Sequence, residues 1–152
     1  NVSSVSGLVS ISPAGVYGAT KWALEAMSEA LAQETKGFNV RVAIVEPGAV
    51  DTAMAARISA GTPSSVYGHV NRMNALMKVS FANSSSPFLI AEKIAEVIDS
   101  GTWQVRHHAG PDVAPFLAWR ASMTDEEWAD WGALDDAGWY ESVEAAFGVD
   151  LR

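Results

Sequence analysis

The chain of 152 residues has the length of one domain, and its 49% of hydrophobic residues is enough to build a core and argues against disorder. A formal net charge of -8, with about half of the acidic residues in the last thirty positions, repels phosphate backbones and anionic lipid heads, so nucleic-acid and membrane partners are disfavoured. The absence of cysteine excludes a disulfide framework, a thiolate zinc site and a thiol nucleophile and fits a cytoplasmic location, and no apolar run approaches the ~20 residues of a membrane helix.

Asn1 to Ser4 reads as the end of a strand, and a chain that begins there without Met is expected to be a fragment of something longer. Val5 to Ala14, with Ser6, Gly7, Ser10, Ser12 and Pro13, reads as a loop. Val16-Tyr17-Gly18-Ala19-Thr20-Lys21 then opens a helical pattern that runs to about Lys36 and stops at Gly37. Tyr17, Lys21, Leu24 and Leu31 fall on one stripe with Met27 and several alanines beside it, while Glu25, Glu29 and Gln33 are placed on the outer face. Tyr17 and Lys21 are four residues apart, hence on one helical face. A cation fixed beside a phenol favours its ionised form, which makes Tyr17 a candidate acid/base. Alone, that spacing is unspecific.

Asn39 to Glu46 carries Val40, Val42, Ala43, Ile44 and Val45, the near-continuous apolar run of a strand buried on both faces of a parallel sheet. Strand, helix and strand make a βαβ unit, whose ligands sit at the carboxyl ends of the strands, where Ser4 and Pro47-Gly48 fall. From Asp51 to Ser85 the pattern loosens, with turn clusters at Gly61-Thr62-Pro63-Ser64-Ser65 and Asn83-Ser84-Ser85-Ser86. Between them Val66, Val70, Met73 and Met77 predict a short amphipathic helix.

Ser86-Pro87 reads as an N-cap with proline at the first helical position, and Ile90, Ile94 and Val97 form one face of a helix ending at Gly101. Trp103 to Ala109 predicts a last strand, ended by Gly110-Pro111-Asp112. His107 and His108, adjacent in it, point to opposite faces and cannot chelate one ion, so no metal site is expected. Two helical patterns follow, Val113 to Met123 and one opened by the capping box Thr124-x-x-Glu127. Asp125, Glu126 and Glu127 are explained by the helix dipole, and Trp119, Trp128, Trp131 and Trp139 are expected to pack against the domain or a partner subunit.

Ser4, then Tyr17-x-x-x-Lys21 on the next helix, then Pro47-Gly48-Ala49-Val50-Asp51-Thr52 after the next strand, together resemble the short-chain dehydrogenase/reductase family. The resemblance spans the chain. It implies an α/β fold, the C-terminal part of a doubly wound parallel-sheet Rossmann-like domain, with strands five to seven and their helices in a single partial domain over residues 1–152. Residues 51–86 would be the substrate-covering insertion and residues 111–152 the C-terminal tail. It further implies an NAD- or NADP-dependent oxidoreductase that interconverts an alcohol and a ketone or aldehyde. Tyr17 would be the general acid/base, Ser4 would bond the substrate oxygen, and Lys21 would hold the nicotinamide ribose and tune Tyr17. Pro47 and Gly48 would line the nicotinamide, Val50 would offer backbone contacts to its carboxamide, and Thr52 would bond nearby.

The family's glycine-rich first turn and the fourth member of its catalytic tetrad precede strand five and are absent from residues 1–152, so the isolated chain is expected to be inactive and to leave strand five as an open edge. By resemblance the alanine-rich helix would pack on its copy in a homodimer or homotetramer. Met54, Val70, Met73, Met77 and Phe81 in the insertion suggest an apolar, fairly bulky substrate. An epimerase or dehydratase of the family's extended branch, or a non-enzymatic scaffold, is the alternative.

Overall fold

A four-residue run with every side chain buried, β1 (Ile44–Pro47), forms the middle of the sheet in the computed structural model, which describes residues 1–60 and 66–151. β2 (Arg106–Ala109) pairs with it in parallel, Ile44 opposite Arg106 and Pro47 opposite Ala109. Along the other edge of β1, the Val45 N–H donates to the Asn1 carbonyl at 2.9 Å and the Ser3 N–H donates to the Val45 carbonyl at 2.8 Å. The fold is α/β around a small parallel two-stranded sheet, and the expected strand end at Asn1–Ser4 is present only as an isolated bridge from Val2 to Val45.

Both strands are shorter than the sequence predicts, for local reasons. After the first helix the chain turns back on itself, the Val40 N–H donating to Thr35 O and Asn39 taking a left-handed φ of 59°, so Phe38 and Val40 stay exposed. Before β2, the Ser100 and Thr102 hydroxyls accept from the Thr102 and Gln104 N–H groups, side-chain turns that compete with a ladder.

Alternation along the strands gives the sheet two unlike faces. Val45 and Ala109 pack on Ile90 of α4 (Pro87–Asp99), with Val50 and Ile94 around them. The helix starts as predicted, Ser86 capping it and Pro87 at its first position. On the opposite face lie Glu46, Arg106 and His108, and the helix joined to them by ion pairs is α1 (Gly15–Lys36). Its buried residues are Gly18, Glu25 and Ser28, with Lys21 half-buried among them. This corrects the predicted faces: Met27 and Leu31 are exposed, and Glu25 is inside. The four-residue spacing that joins Tyr17 to Lys21 also reaches Glu25, and the positive partner Arg106 keeps that carboxylate in place.

The segment after β1 forms α2 (Ala53–Ser59) and α3 (Gly68–Ala82); Val66 lies outside the latter and is 95% exposed. The turn expected at residues 61–65 lies outside the described residues. The tail holds three helices where two were predicted, α5 (Val113–Ala121), α6 (Asp125–Ala133) and α7 (Asp136–Phe147). Asp135 starts the third by accepting from the Gly138 N–H at 2.8 Å. The capping box forms as read, Thr124 Oγ1 accepting from the Glu127 N–H and Glu127 Oε2 from the Thr124 N–H.

The tail's tryptophans pack on one another. Trp131 meets Trp119 edge-on at 5.1 Å between ring centroids, stacks on Trp128 at 4.7 Å and leans on Trp139 at 5.4 Å. Ile11 of the first loop and Leu76 of α3 pack against this cluster, and the Trp128 indole N–H donates to Ser10 O, so the tail is fastened to the rest of the chain through it. Trp131→Ala should therefore cost about 3–5 kcal/mol of stability, whereas Thr124→Ala at the cap should cost about 1 kcal/mol. Urea unfolding of the two variants measures the contrast; equal, small losses would mean that the tryptophan cluster contributes little.

Candidate active site

The parallel strands end together, and the loops that leave them carry the residues singled out by sequence. Ser4 follows the Asn1–Ser3 segment, buried, and caps a 3-10 turn over Val5–Gly7 by accepting from the Ser6 N–H at 3.2 Å. That bond uses an oxygen lone pair and leaves the Ser4 hydroxyl proton free to donate. α1 begins beyond this loop; its Gly18 sits against Ser10 and Ser6, where a Cβ would lie 3.3 Å from the Ser10 hydroxyl. The close fit sets Tyr17 at the loop's edge, 38% exposed.

The Lys21 ammonium lies 5.8 Å from the centre of the Tyr17 ring and donates to Val2 O at 3.3 Å. One carbonyl of the strand segment before Ser4 thus holds the cation beside the phenol. The structure brings Tyr17 and Lys21 together on one helical turn and ties Lys21 to the segment that leads into Ser4.

The Pro47–Thr52 loop is fixed by two anchors. Ala49 O accepts from the Ser85 N–H and Ser85 O from the Asp51 N–H, both at 2.9 Å, a parallel bridge centred on Val50. In such a bridge the residue between the two bonded neighbours turns its own N–H and C=O away from the partner. Val50 therefore presents a backbone donor and acceptor on the side opposite Ser85. This is what the carboxamide of a nicotinamide needs, and in this respect the loop fits the cofactor that the resemblance implies. Thr52 caps α2, its Oγ1 accepting from the Ala55 N–H at 3.2 Å, again with its hydroxyl proton uncommitted.

The second anchor is Asp112, whose Oδ2 accepts from the Ala49 N–H at 2.8 Å. Its carboxylate occupies the space that a side chain at Gly48 would need, and Gly110, at φ 117°, makes the turn that delivers it. The sequence marks Asp112 as the end of a strand, in a Gly-x-Asp similar to the one after the family's seventh strand, but not as an anchor of the Pro47–Thr52 loop. The signal lay in the pairing of two glycine-containing turns at neighbouring strand ends.

A second group missed by the sequence reading lies under α1. Glu46 is pushed up to about 7, by burial first and then by the charge of Glu25, against the pull of Arg106. Arg106 is itself raised, by its hydrogen bond to Glu29 ahead of that to Glu25. An acid inside an apolar strand, between Val45 and Pro47, was the available sign. His107 and His108 do part to opposite faces: His107 is buried with its Nε2 2.9 Å from Gln104 O, and His108 reaches Glu46.

Beside the first loop, a cavity of about 370 Å³ opens between Ile11, His69 and Arg72 on one side and Trp128, Trp131 and Trp139 on the other. Its apolar wall is made by the tail's indoles, and Met54, Met73 and Met77 do not line it.

The short chain dehydrogenase family profile matches residues 1–63. An uncharacterized oxidoreductase of Schizosaccharomyces pombe is 30% identical over 128 residues, which cover 82% of this chain and 53% of that protein. An oxidoreductase of Botryotinia fuckeliana is 30% identical over 135 residues, 85% of this chain and 49% of its own length. The crystal structure of a short-chain dehydrogenase from Streptomyces avermitilis superimposes with a TM-score of 0.66 at 30% identity, covering 86% of this chain and 48% of that one. The chain spans about half the length of the curated relatives it matches over most of its own.

Gly48→Ala should weaken the fold by driving its methyl into the Asp112 carboxylate, and Asp112→Ala should cost about 1.5–3 kcal/mol for the lost charged acceptor. Because the second change removes what the first collides with, the double variant should lose less than the sum, by about 0.5–3 kcal/mol. A double-mutant cycle in urea measures the coupling, and strict additivity would show that the two sites are independent.

Proposed function

The chain belongs to the short-chain dehydrogenase family, and on that premise we propose that the whole protein is an NAD- or NADP-dependent oxidoreductase that interconverts an alcohol and a ketone or aldehyde, with Tyr17 as its general acid/base. The observation that carries this reading is the Tyr17–Lys21 pair, with the ammonium beside the ring and the phenol at the edge of the loop that follows Ser4. A nicotinamide cofactor, when bound, supplies or accepts the hydride. Tyr17 gives its phenolic proton to the carbonyl oxygen in the reducing direction and takes it back in the oxidising one. Ser4 donates its free hydroxyl proton to that same oxygen and fixes its place. Lys21 holds the nicotinamide ribose, Pro47 and Gly48 line the ring, Val50 meets the carboxamide through its backbone, and Thr52 bonds beside it.

The segment order Asn1–Ser3, β1, β2 supports reading the chain as strands five to seven of a doubly wound sheet, with residues 51–86 as the substrate cover and 111–152 as the tail. Met54, Val70, Met73, Met77 and Phe81 in the insertion support an apolar substrate of some bulk. The face of α1 turned from the sheet carries Val16, Ala19, Ala23, Ala26, Met27 and Ala30, all exposed, which supports closure by a second copy in a homodimer or homotetramer.

Tyr17→Phe keeps the ring and removes the proton. In the whole protein it should lower kcat by about 10²- to 10⁴-fold on bulky ketones, with circular dichroism unchanged. Steady-state turnover measures this, and near wild-type turnover by the variant would sink the assignment of Tyr17 and with it the oxidoreductase mechanism.

A further inference from the structure

The face of the sheet beneath α1 is charged where helix-on-sheet packing is ordinarily apolar. Glu46 is completely buried, and neither of its carboxylate oxygens has a hydrogen-bond partner among the described residues. Glu25, facing it from α1, is buried as well, with Oε1 equally unpartnered. A single guanidinium serves both. Arg106 Nε lies 3.1 Å from Glu25 Oε2 and 3.6 Å from Glu46 Oε1, while its Nη2 reaches Glu29 Oε2 at 2.6 Å. His108 Nε2 lies 3.2 Å from Glu46 Oε2. The remaining polar groups on this face are committed or neutral: Lys21 donates to Val2 O, the Asn1 amide to Ser28 Oγ, and Ser28 to Leu24 O.

We propose that Arg106 is a positioning residue that clamps the helix bearing Tyr17 and Lys21 to the strand that ends in Pro47-Gly48, and that buried Glu46 beneath it holds a proton whose loss loosens the clamp. The geometry requires a guanidinium, because Arg106 joins carboxylates on two turns of α1 and one on β1 at the same time, which a single ammonium cannot span. The charges require the proton. With Glu46 protonated, the four groups Glu25, Glu29, Glu46 and Arg106 carry one excess negative charge; without that proton they carry two. The second is confined with Glu25 in a buried space, where like charges repel strongly and water cannot answer them.

The sign follows from burial. A carboxyl raised to about 7 in the folded state and near 4.5 when exposed binds its proton more tightly when α1 is docked. Docking of α1 is therefore strongest below the exposed value, weakens as pH rises between the two values, and levels off above the folded one. Between pH 6 and pH 8 the opening equilibrium of α1 should rise about tenfold.

The proposal rests on the reading of Tyr17 and Lys21 as the catalytic pair for its importance, yet its test does not use activity. Hydrogen exchange of the whole protein, without cofactor or substrate and corrected for intrinsic rates, is followed by mass spectrometry at pH 6 and pH 8 in peptides of α1, with α4 on the opposite face as internal reference. In the wild type, protection of α1 should fall about tenfold relative to α4. Glu46→Gln, which cannot ionise, should abolish that change. Arg106→Ala should lower α1 protection at both pH values, and Arg106→Lys, which restores charge but not the bridge, should recover only part of it. A wild-type α1 that tracks α4 with pH, or a Glu46→Gln variant that keeps the full pH effect, would overturn the proposal. A Tyr17→Phe enzyme of undiminished turnover would instead overturn the catalytic reading and leave the exchange result standing.

Discussion

Everything in this chain hangs on β1 being bonded along both edges. Four consecutive buried residues can satisfy their backbone groups only through neighbours, and those neighbours are Asn1–Ser3 on one side and β2 on the other. Both run parallel to β1. Parallel pairing aligns the carboxyl ends of all three segments, so the chain must leave the sheet at one place three times, through Ser4, Gly48 and Gly110. The polar loops, the capped helix starts and the close contact of Asp112 with the Gly48 turn are consequences of that crowding. A site assembled from sequence-distant residues is what such an edge yields.

The two helix layers on this sheet are held by different physics. α4 is held by contact of Ile90 and Ile94 with Val45 and Ala109, which tolerates small shifts because dispersion and apolar burial are non-directional. α1 is held through Glu25, Glu29, Ser28 and Lys21, each bonded at a defined atom. Polar contacts of this kind add little net stability once desolvation is counted, but they admit few registers. Such contacts locate a helix by direction rather than by pressure.

The same contrast decides what the sequence revealed. Helix starts were legible because capping is local: Ser86-Pro87 and Thr124-x-x-Glu127 act within one turn and form as read. The Tyr17–Lys21 pair was legible for the same reason, since it needs only a four-residue spacing. Strand limits were not, because Val40 and Trp103 are as apolar as the residues inside the ladder and are excluded by turns closing at Thr35 and at Ser100. Glu25 was misplaced because a charge on an alanine-rich helix reads as solvent-facing until Arg106, eighty-one positions along, is known to lie opposite. The third tail helix was hidden by Leu134-Asp135, where one helix ends and the next is capped without an intervening loop. The roles assigned to Ser4, Pro47 and Thr52 came from family resemblance and stand as proposals.

The tail also holds α3. Arg72, buried on α3, donates to Asp136 at 2.7 Å and to Leu134 O at 2.7 Å, the two positions that frame the start of α7. Its guanidinium also lies 5.9 Å from the centre of the Trp139 ring. With Leu76 in the tryptophan cluster, α3 is attached to the tail through both the Arg72 guanidinium and an apolar contact. Ile11 and Ser10 O bring the loop between Ser4 and Tyr17 to the same cluster. The tryptophan wall of the cavity, α3 and the loop before α1 therefore share one support. A change in how the indoles pack must move all three together, which places the control of cavity shape in the tail rather than in the strands that carry the candidate chemistry.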